Sequence, residues 1–239
     1  MAAERRIQRK IQRILAEYKE RAARAVQSGE PFAYEGMADE LRAAVLPELS
    51  SLVVDNVMRL SVETGISFDP AVINQEALRW ARQFSTEWAR GLTDTTRKQL
   101  QEAMAAFVQT PGMTMGDIEK LIEPAFGKVR AEMIAATETT RAYAMATNEL
   151  QGLLRQETPS LETVQVWNTM QDELVCVICG PLEGAPKGEW QGQFPNGPPA
   201  HPNCRCSTSI RFETTEQLGA EFRRRQRDRN RWLREQGLL

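Results

Sequence analysis

Histidine and cysteine are almost absent from this chain. Its 239 residues hold a single histidine, and no cysteine lies outside one window of thirty-one residues. General acid–base chemistry near neutral pH would therefore rest on carboxylates, because histidine is the side chain whose ordinary pKa falls in that range. There is no Walker-type phosphate loop, no GxGxxG, no internal repeat and no nuclease-like carboxylate cluster. No catalytic residues and no small-molecule substrate are expected. No apolar run reaches the length of about eighteen residues that a membrane helix needs, so no membrane span is expected. The charged N-terminal stretch does not read as a secretory signal.

The few cysteines and the histidine are concentrated as Cys176-x-x-Cys179, twenty-one residues, then His201-x-x-Cys204-x-Cys206. A CxxC turn aims two thiolates at one point and a second knuckle supplies the remaining donors, so the pattern predicts a tetrahedral metal site with zinc as the ion. Cys176 and Cys179 form the first pair. His201, Cys204 and Cys206 compete for what is left, since five candidates face about four positions. Two disulfides would also use four cysteines, but Cys204 and Cys206 are too close in sequence to bond each other comfortably. A thioredoxin-like redox CxxC would sit within a βαβ pattern, which is missing. A site closed by four protein ligands leaves no position for a nucleophilic water, so the zinc is read as structural.

The segment between the knuckles, residues 180–200, holds five Gly and five Pro, with Trp190 and Phe194 as its only aromatics. It is read as a non-helical loop that needs tying down, and metal ligation at both ends does this. Thr163 to Trp167 alternates like a half-buried strand, and Cys206 to Phe212 is a second short β-branched run. These predict a small metal-pinned sheet of two or three strands.

Upstream the pattern is helical. From about Ala3 to Val26, Ile7, Ile11, Ile14, Leu15 and Tyr18 recur at helical spacing beside a cationic face. A second helical region runs from Met37 to about Glu63, with an interruption or restart expected at Pro47. Asp69-Pro70 reads as an N-cap and first-turn proline for a helix presenting Ile73, Ala77, Trp80, Phe84 and Trp88 on its core side. Thr93 to Thr96 is expected to cap a further helix closed by Gly112, and Thr114 with Asp117 to open a short one ending near Pro124. A long helix follows from about Lys128 to Gln156, on which Glu138 and Arg141 can pair. Glu138 could also buttress the metal subdomain.

The net charge of −2 conceals an asymmetry. Residues 1–30 carry eight Lys/Arg against four acids, residues 221–239 carry seven Arg against three, and the middle keeps 15 basic and 25 acidic residues. Arg223, Arg224, Arg225, Arg227, Arg229 and Arg231 place cations almost all round a C-terminal helix from Glu216 to Glu235. Such a helix repels itself and gains from lying on a phosphate backbone or in an acidic groove. The expectation is sequence-independent contact with double-stranded DNA.

The residues also match a known pattern. Ile134 to Arg141 (IAATETTR), Val166-Trp167-Asn168-Thr169 leading to Asp172, Cys176-Val177-Ile178-Cys179, Pro181-Leu182-Glu183-Gly184, and Pro198-Pro199-Ala200-His201-Pro202-Asn203-Cys204-Arg205-Cys206 follow one another in order. Over about residues 115–212 the chain resembles the phage Mu F-like minor head proteins. The resemblance implies a head-morphogenesis protein of a tailed phage or prophage, present in few copies beside the portal and inside the capsid. Some members carry other residues in place of the CxxC, which implies that metal reinforces the fold without being its purpose.

The expected architecture is mainly α with a small α+β C-terminal module, comprising a multi-helix N-terminal region, a long spine helix and a zinc-pinned sheet of two or three strands. Residues 1–112 are expected to dock to portal or scaffold, 113–212 to form the Mu F-like module, and 213–239 the arginine-rich tail. The expected function is that of a minor virion protein which associates with the portal during procapsid assembly in the host cytoplasm, ends in the capsid interior and contacts packaged DNA. One rival is a zinc-ribbon-like regulatory nucleic-acid-binding protein, but Val175 to Pro181 is nearly uncharged. The other is an enzyme, since similar domains are sometimes fused to toxin catalytic domains, and no residues remain here to hold one.

Overall fold

A computed structural model describes residues 2–28, 32, 34–64, 69–110, 114–157 and 162–212, with residues 224, 227, 228, 230, 231, 234 and 235 near the C-terminus. Among the described residues, five principal helices precede a two-stranded sheet. They are α1 (Ala2–Ser28), α2 (Met37–Thr64), α3 (Pro70–Gln109), α4 (Met115–Phe126) and α5 (Lys128–Glu157). Strand β1 (Thr163–Asn168), the one-turn helix α6 (Lys187–Trp190) and strand β2 (Ser207–Phe212) complete the order. The mainly α fold with a small C-terminal sheet follows the expected class. The chain forms two compact units, one of Met1–Ser51 with Gln75–Ala136, the other of Leu52–Asn74 with Thr137–Leu239.

In the first unit, the apolar stripe of α1 is its buried face: Ile7, Ile11, Leu15 and Tyr18 are fully buried, as are Met37, Leu41, Val45 and Leu49 on α2. Each such side chain contributes about 1.5–3 kcal/mol through the area it removes from water. The Tyr18 hydroxyl donates within this core to the Glu35 carbonyl at 3.2 Å or to Glu40 Oε1 at 3.1 Å. Burial first, then the Glu40 carboxylate, pushes its pKa up. At the rim, Arg6 and Lys10 share Glu48 at 2.8 and 2.9 Å.

Three expectations about this region need correction. Helix α2 runs through Pro47 without a restart; Lys10 Nζ donates to the Ala44 carbonyl, 3.2 Å away, in the turn that the proline disturbs. Helix α3 is continuous where a new cap was expected. The hydroxyls of Thr93, Thr95 and Thr96 each donate at 2.8 Å to the carbonyl four residues earlier, so they serve the helix interior instead of opening a second helix. The α3 core face is Ile73, Ala77, Ala81, Ser85 and Ala89, while Trp80, Phe84 and Trp88 flank it half-buried, the first two stacked at 5.1 Å. Gly112 lies outside the described residues. Helix α4 opens with the expected capping box, Thr114 Oγ1 accepting from Asp117 N and Asp117 from Thr114 N, and continues through Pro124 to Phe126.

In the second unit β1 and β2 pair antiparallel, Thr163 opposite Phe212 and Asn168 opposite Ser207. A backbone bridge between Val166 and Pro186 adds a strand-like edge. The α5 side chains from Thr137 onward serve this unit: Ala142, Ala144, Ala146, Thr147, Leu150, Gln151 and Leu154 are buried. Gln151 Nε2 donates to Thr163 O at 3.1 Å and Thr147 Oγ1 to Thr208 O at 3.2 Å, so the helix hydrogen-bonds to both strands.

Candidate metal centre

The knuckles rest on a small aromatic core. Trp167, at the end of β1, is fully buried and meets Trp190 edge-on at 5.5 Å and Phe194 at 5.4 Å. Trp167 N donates to Ala185 O at 2.8 Å, Gly184 N returns to Trp167 O at 2.7 Å, and Trp190 Nε1 donates to Ala185 O at 3.0 Å. The Gly/Pro-rich segment was expected to contain no helix, yet it includes the 3-10 turn Gly180–Leu182 and α6. Tryptophan packing holds it.

The first knuckle is a self-contained turn. Cys179 N donates to Cys176 Sγ at 3.4 Å, and Gly180 N to Cys176 O at 2.9 Å. Its approach is braced by carboxylates: Glu183 accepts from the amide and hydroxyl of Thr169, and Asp172 accepts Arg205 through two bonds of 2.8 and 2.9 Å. Arg205 lies between Cys204 and Cys206, so this fork joins the two knuckles. Its partners are over a third exposed, and such surface pairs add little stability. The hydrogen bond from Arg205 outweighs the small effect of burial and holds the Asp172 carboxyl below its usual range.

The second knuckle closes through Cys204 N donating to His201 O at 3.2 Å, with Asn203 in the left-handed region at φ 61°. Two hydroxyls of α5 reach it: Thr137 Oγ1 accepts from Asn203 N at 2.8 Å, and Thr140 Oγ1 donates to Cys204 O at 2.7 Å. The suggested buttress, Glu138, is instead buried against Arg141 Nε at 3.1 Å. Burial pushes its carboxyl up, and Arg141 only partly opposes this. The sequence signals for the threonines are their spacing on α5 and their place in the Ile134–Arg141 motif, where the charge of Glu138 overshadows them.

The five expected donors fall into two neighbouring groups. His201 Nε2 is 3.1 Å from Cys176 Sγ and 3.3 Å from Cys179 Sγ, and the sulfurs of Cys179 and Cys204 are 3.8 Å apart. Donor atoms within 4.8 Å of one another form two triads, Cys176–Cys179–His201 and Cys179–Cys204–Cys206, which share Cys179. Bond lengths of about 2.3 Å to sulfur and 2.0–2.1 Å to nitrogen give tetrahedral edges of about 3.8 Å between sulfurs and about 3.6 Å from sulfur to nitrogen. The sulfur edge agrees, and the nitrogen edges are a few tenths shorter. His201 Nδ1 sits 2.8 Å from the Pro202 carbonyl, which sets the proton on Nδ1 and leaves the Nε2 lone pair for an ion.

Electrostatics point the same way. Hydrogen bonds to Cys204 and Cys206, then burial, push the Cys179 thiol up. Bonds from Cys179 and Cys206 hold Cys204 far below the ordinary thiol range. Cys206 is drawn down by Cys179, but Cys204 and burial outweigh this and push it up to about 11. Burial raises Cys176, yet the amides of Cys179 and Ile178 more than offset it and its thiol is lowered. Adjacent thiols cannot all ionise together, and a divalent cation in place of their protons removes that conflict. The buried Trp167 indole N–H faces Cys206 as a donor and draws that thiol down, less than Cys204 and burial push it up. These residues fit a divalent ion.

Of the arginines expected to meet DNA, Arg224, Arg227 and Arg231 are exposed, and Arg231 pairs with Asp228 at 3.0 Å. Arg223, Arg225 and Arg229 lie outside the described residues. The cationic face expected on α1 lines a hollow there, formed by Arg6, Arg9, Lys10 and Arg13. No described helix is long and apolar enough to cross a membrane.

A family model described as phage Mu protein F like protein matches residues 16–209. This segment starts within α1 and ends in β2, so it takes in the helical region as well as both knuckles. No match emerges among curated proteins or among solved structures.

Proposed function

The chain belongs to the phage Mu F-like protein family, and on that premise we propose that it is a minor head protein that joins the portal during procapsid assembly and remains inside the capsid. Membership makes it a protein of phage head morphogenesis. The finer reading gives residues 1–112 the docking role toward portal or scaffold, 113–212 the metal-pinned module, and the termini the DNA contacts. It assigns no catalysis.

The observation that carries the structural reading is the convergence of the five donors on Cys179. In the proposed centre Cys176, Cys179, His201 and Cys204 hold a zinc ion, with Cys206 beside them as the spare thiol. The ion supplies a cross-link between two knuckles. The chain supplies the donors, the Nδ1 tautomer of His201 and the aromatic floor.

DNA contact is proposed through the phosphate backbone. Arg9 and Arg13 stand four residues apart on α1, and both are exposed; like charges at that spacing destabilise a helix until an anion offsets them. The regulatory zinc-ribbon reading is less favoured because the knuckle surface is apolar, with Leu174, Val177 and Ile178 exposed.

Co-purification with portal protein from assembling capsids, with zinc quantified in the same sample, tests the proposal. Portal-bound, zinc-loaded protein supports it. A chain that never associates with portal, yet binds short DNA at low salt, contradicts it in favour of the regulator.

A further inference from the structure

We propose that Thr137 and Thr140 of α5 are positioning residues of the metal centre, holding the His201–Cys206 knuckle in the conformation that admits the ion. This inference rests on the metal reading above. Its basis is the difference between the two knuckles. The first is closed by its own amides, with Cys179 N on Cys176 Sγ and Gly180 N on Cys176 O. The second has Cys204 N on His201 O at 3.2 Å and takes two further bonds from the helix.

Those two bonds fall on adjacent residues, on the outer sides of the peptide that joins them, and have opposite polarity. Thr137 Oγ1 accepts from Asn203 N at 2.8 Å, and Thr140 Oγ1 donates to Cys204 O at 2.7 Å. Residues three apart on a helix share a face, so one rigid element grips both sides of the Asn203–Cys204 step. Asn203 has φ 61°, a conformation costly for a side-chain-bearing residue unless its surroundings hold it. The Thr137 bond fixes the amide of that residue. The Thr140 bond orients the peptide carrying the Cys204 ligand, whose sulfur sits 3.8 Å from that of Cys179.

Thr140 is buried, so an isosteric valine keeps the packing and removes only the hydroxyl. Hydrogen-bond partners behind a ligand set its orientation, and their loss costs about 10- to 100-fold in metal affinity. Glu138, between the two threonines in sequence, pairs with Arg141 instead, which assigns the hydroxyls and not the carboxylate to the knuckle.

The test uses the full chain. Zinc affinity is measured by competition with a chromophoric chelator, and the cobalt(II) absorption spectrum is recorded for wild type, Thr140→Val, Thr140→Ser and Thr137→Val. Thr140→Val is expected to bind zinc about 10- to 100-fold more weakly and to shift the cobalt ligand-field bands, with Thr140→Ser restoring both toward wild type. If Thr140→Val does not fold, Thr137→Val, which leaves the Thr140 bond intact, carries the comparison. Wild-type affinity and an unchanged cobalt spectrum in the folded valine variants would overturn the inference. A wild-type chain that binds neither zinc nor cobalt overturns the metal reading itself.

Discussion

Cys179 and Cys204 place their sulfurs 3.8 Å apart although they stand twenty-five positions apart in the sequence. That distance is one edge of a zinc–thiolate tetrahedron, and Cys179 belongs to both donor triads. The shared position gives Cys179 more influence than any other donor.

Replacing Cys179 with serine is therefore expected to abolish tight zinc binding, while Cys206→Ser, at the thiol proposed to be spare, retains one ion per chain. Chelator competition on the purified variants checks the ranking. Equal losses would place Cys206 among the ligands.

Cys176→Ser, or chelation of the wild type, is expected to loosen residues 160–212 and spare most helical signal, because the principal helices end before them. Limited proteolysis beside circular dichroism reads both at once. Unchanged protease resistance of that segment would contradict the role of the ion as a staple.

The aromatic core supports this segment independently of any ion, so Trp190→Ala has a separate expected effect. Trp190 is 1% exposed and packs on Trp167, and its truncation should cost about 3–5 kcal/mol. Denaturant unfolding of the zinc-saturated protein measures this. A loss below about 1 kcal/mol would assign the loop's stability to the ion.

Glu138 gives a pH dependence. Burial raises its carboxyl above the ordinary 4.5, so the folded state binds its proton more tightly than the unfolded state. Its stabilising contribution is full below the ordinary value and is lost as pH rises through the raised value in the fold. Glu138→Gln should then match wild type in acid and gain on it toward neutral pH, less whatever the Arg141 pair supplies. Thermal unfolding of both proteins across that range decides the sign. A variant that falls behind toward neutral pH would show the ion pair outweighing burial.

Charge reversal at Arg9 and Arg13 is expected to weaken DNA binding equally for unrelated sequences and to flatten its salt dependence, by about one unit of slope for each phosphate that is no longer neutralised. Salt titrations with two unrelated duplexes measure it. An unchanged slope would remove α1 from the DNA-binding proposal.

The elements that were legible in the sequence are those whose signal is local. The α1 stripe of Ile7, Ile11, Leu15 and Tyr18, the Thr114–Asp117 capping box and the strand pair around Trp167 each follow from spacing within one segment. What escaped depends on partners far along the chain or on a choice between equivalent local bonds. Threonine hydroxyls at 93–96 could cap a new helix or bond back into the old one, and the structure shows the second. Trp80, Phe84 and Trp88 share a period with the alanines that form the buried face, so spacing alone did not separate rim from core. The convergence of donors was legible because CxxC constrains itself; the grip of Thr137 and Thr140 was not, since it joins residues more than sixty positions apart.

The most direct test is zinc stoichiometry with X-ray absorption at the zinc edge on the purified 239-residue chain. One ion per chain, in a four-coordinate shell of three sulfurs near about 2.3 Å and one nitrogen at about 2.0–2.1 Å, is the predicted result. A chain purified with no bound zinc, or a zinc shell of oxygen and nitrogen without sulfur, would contradict the account.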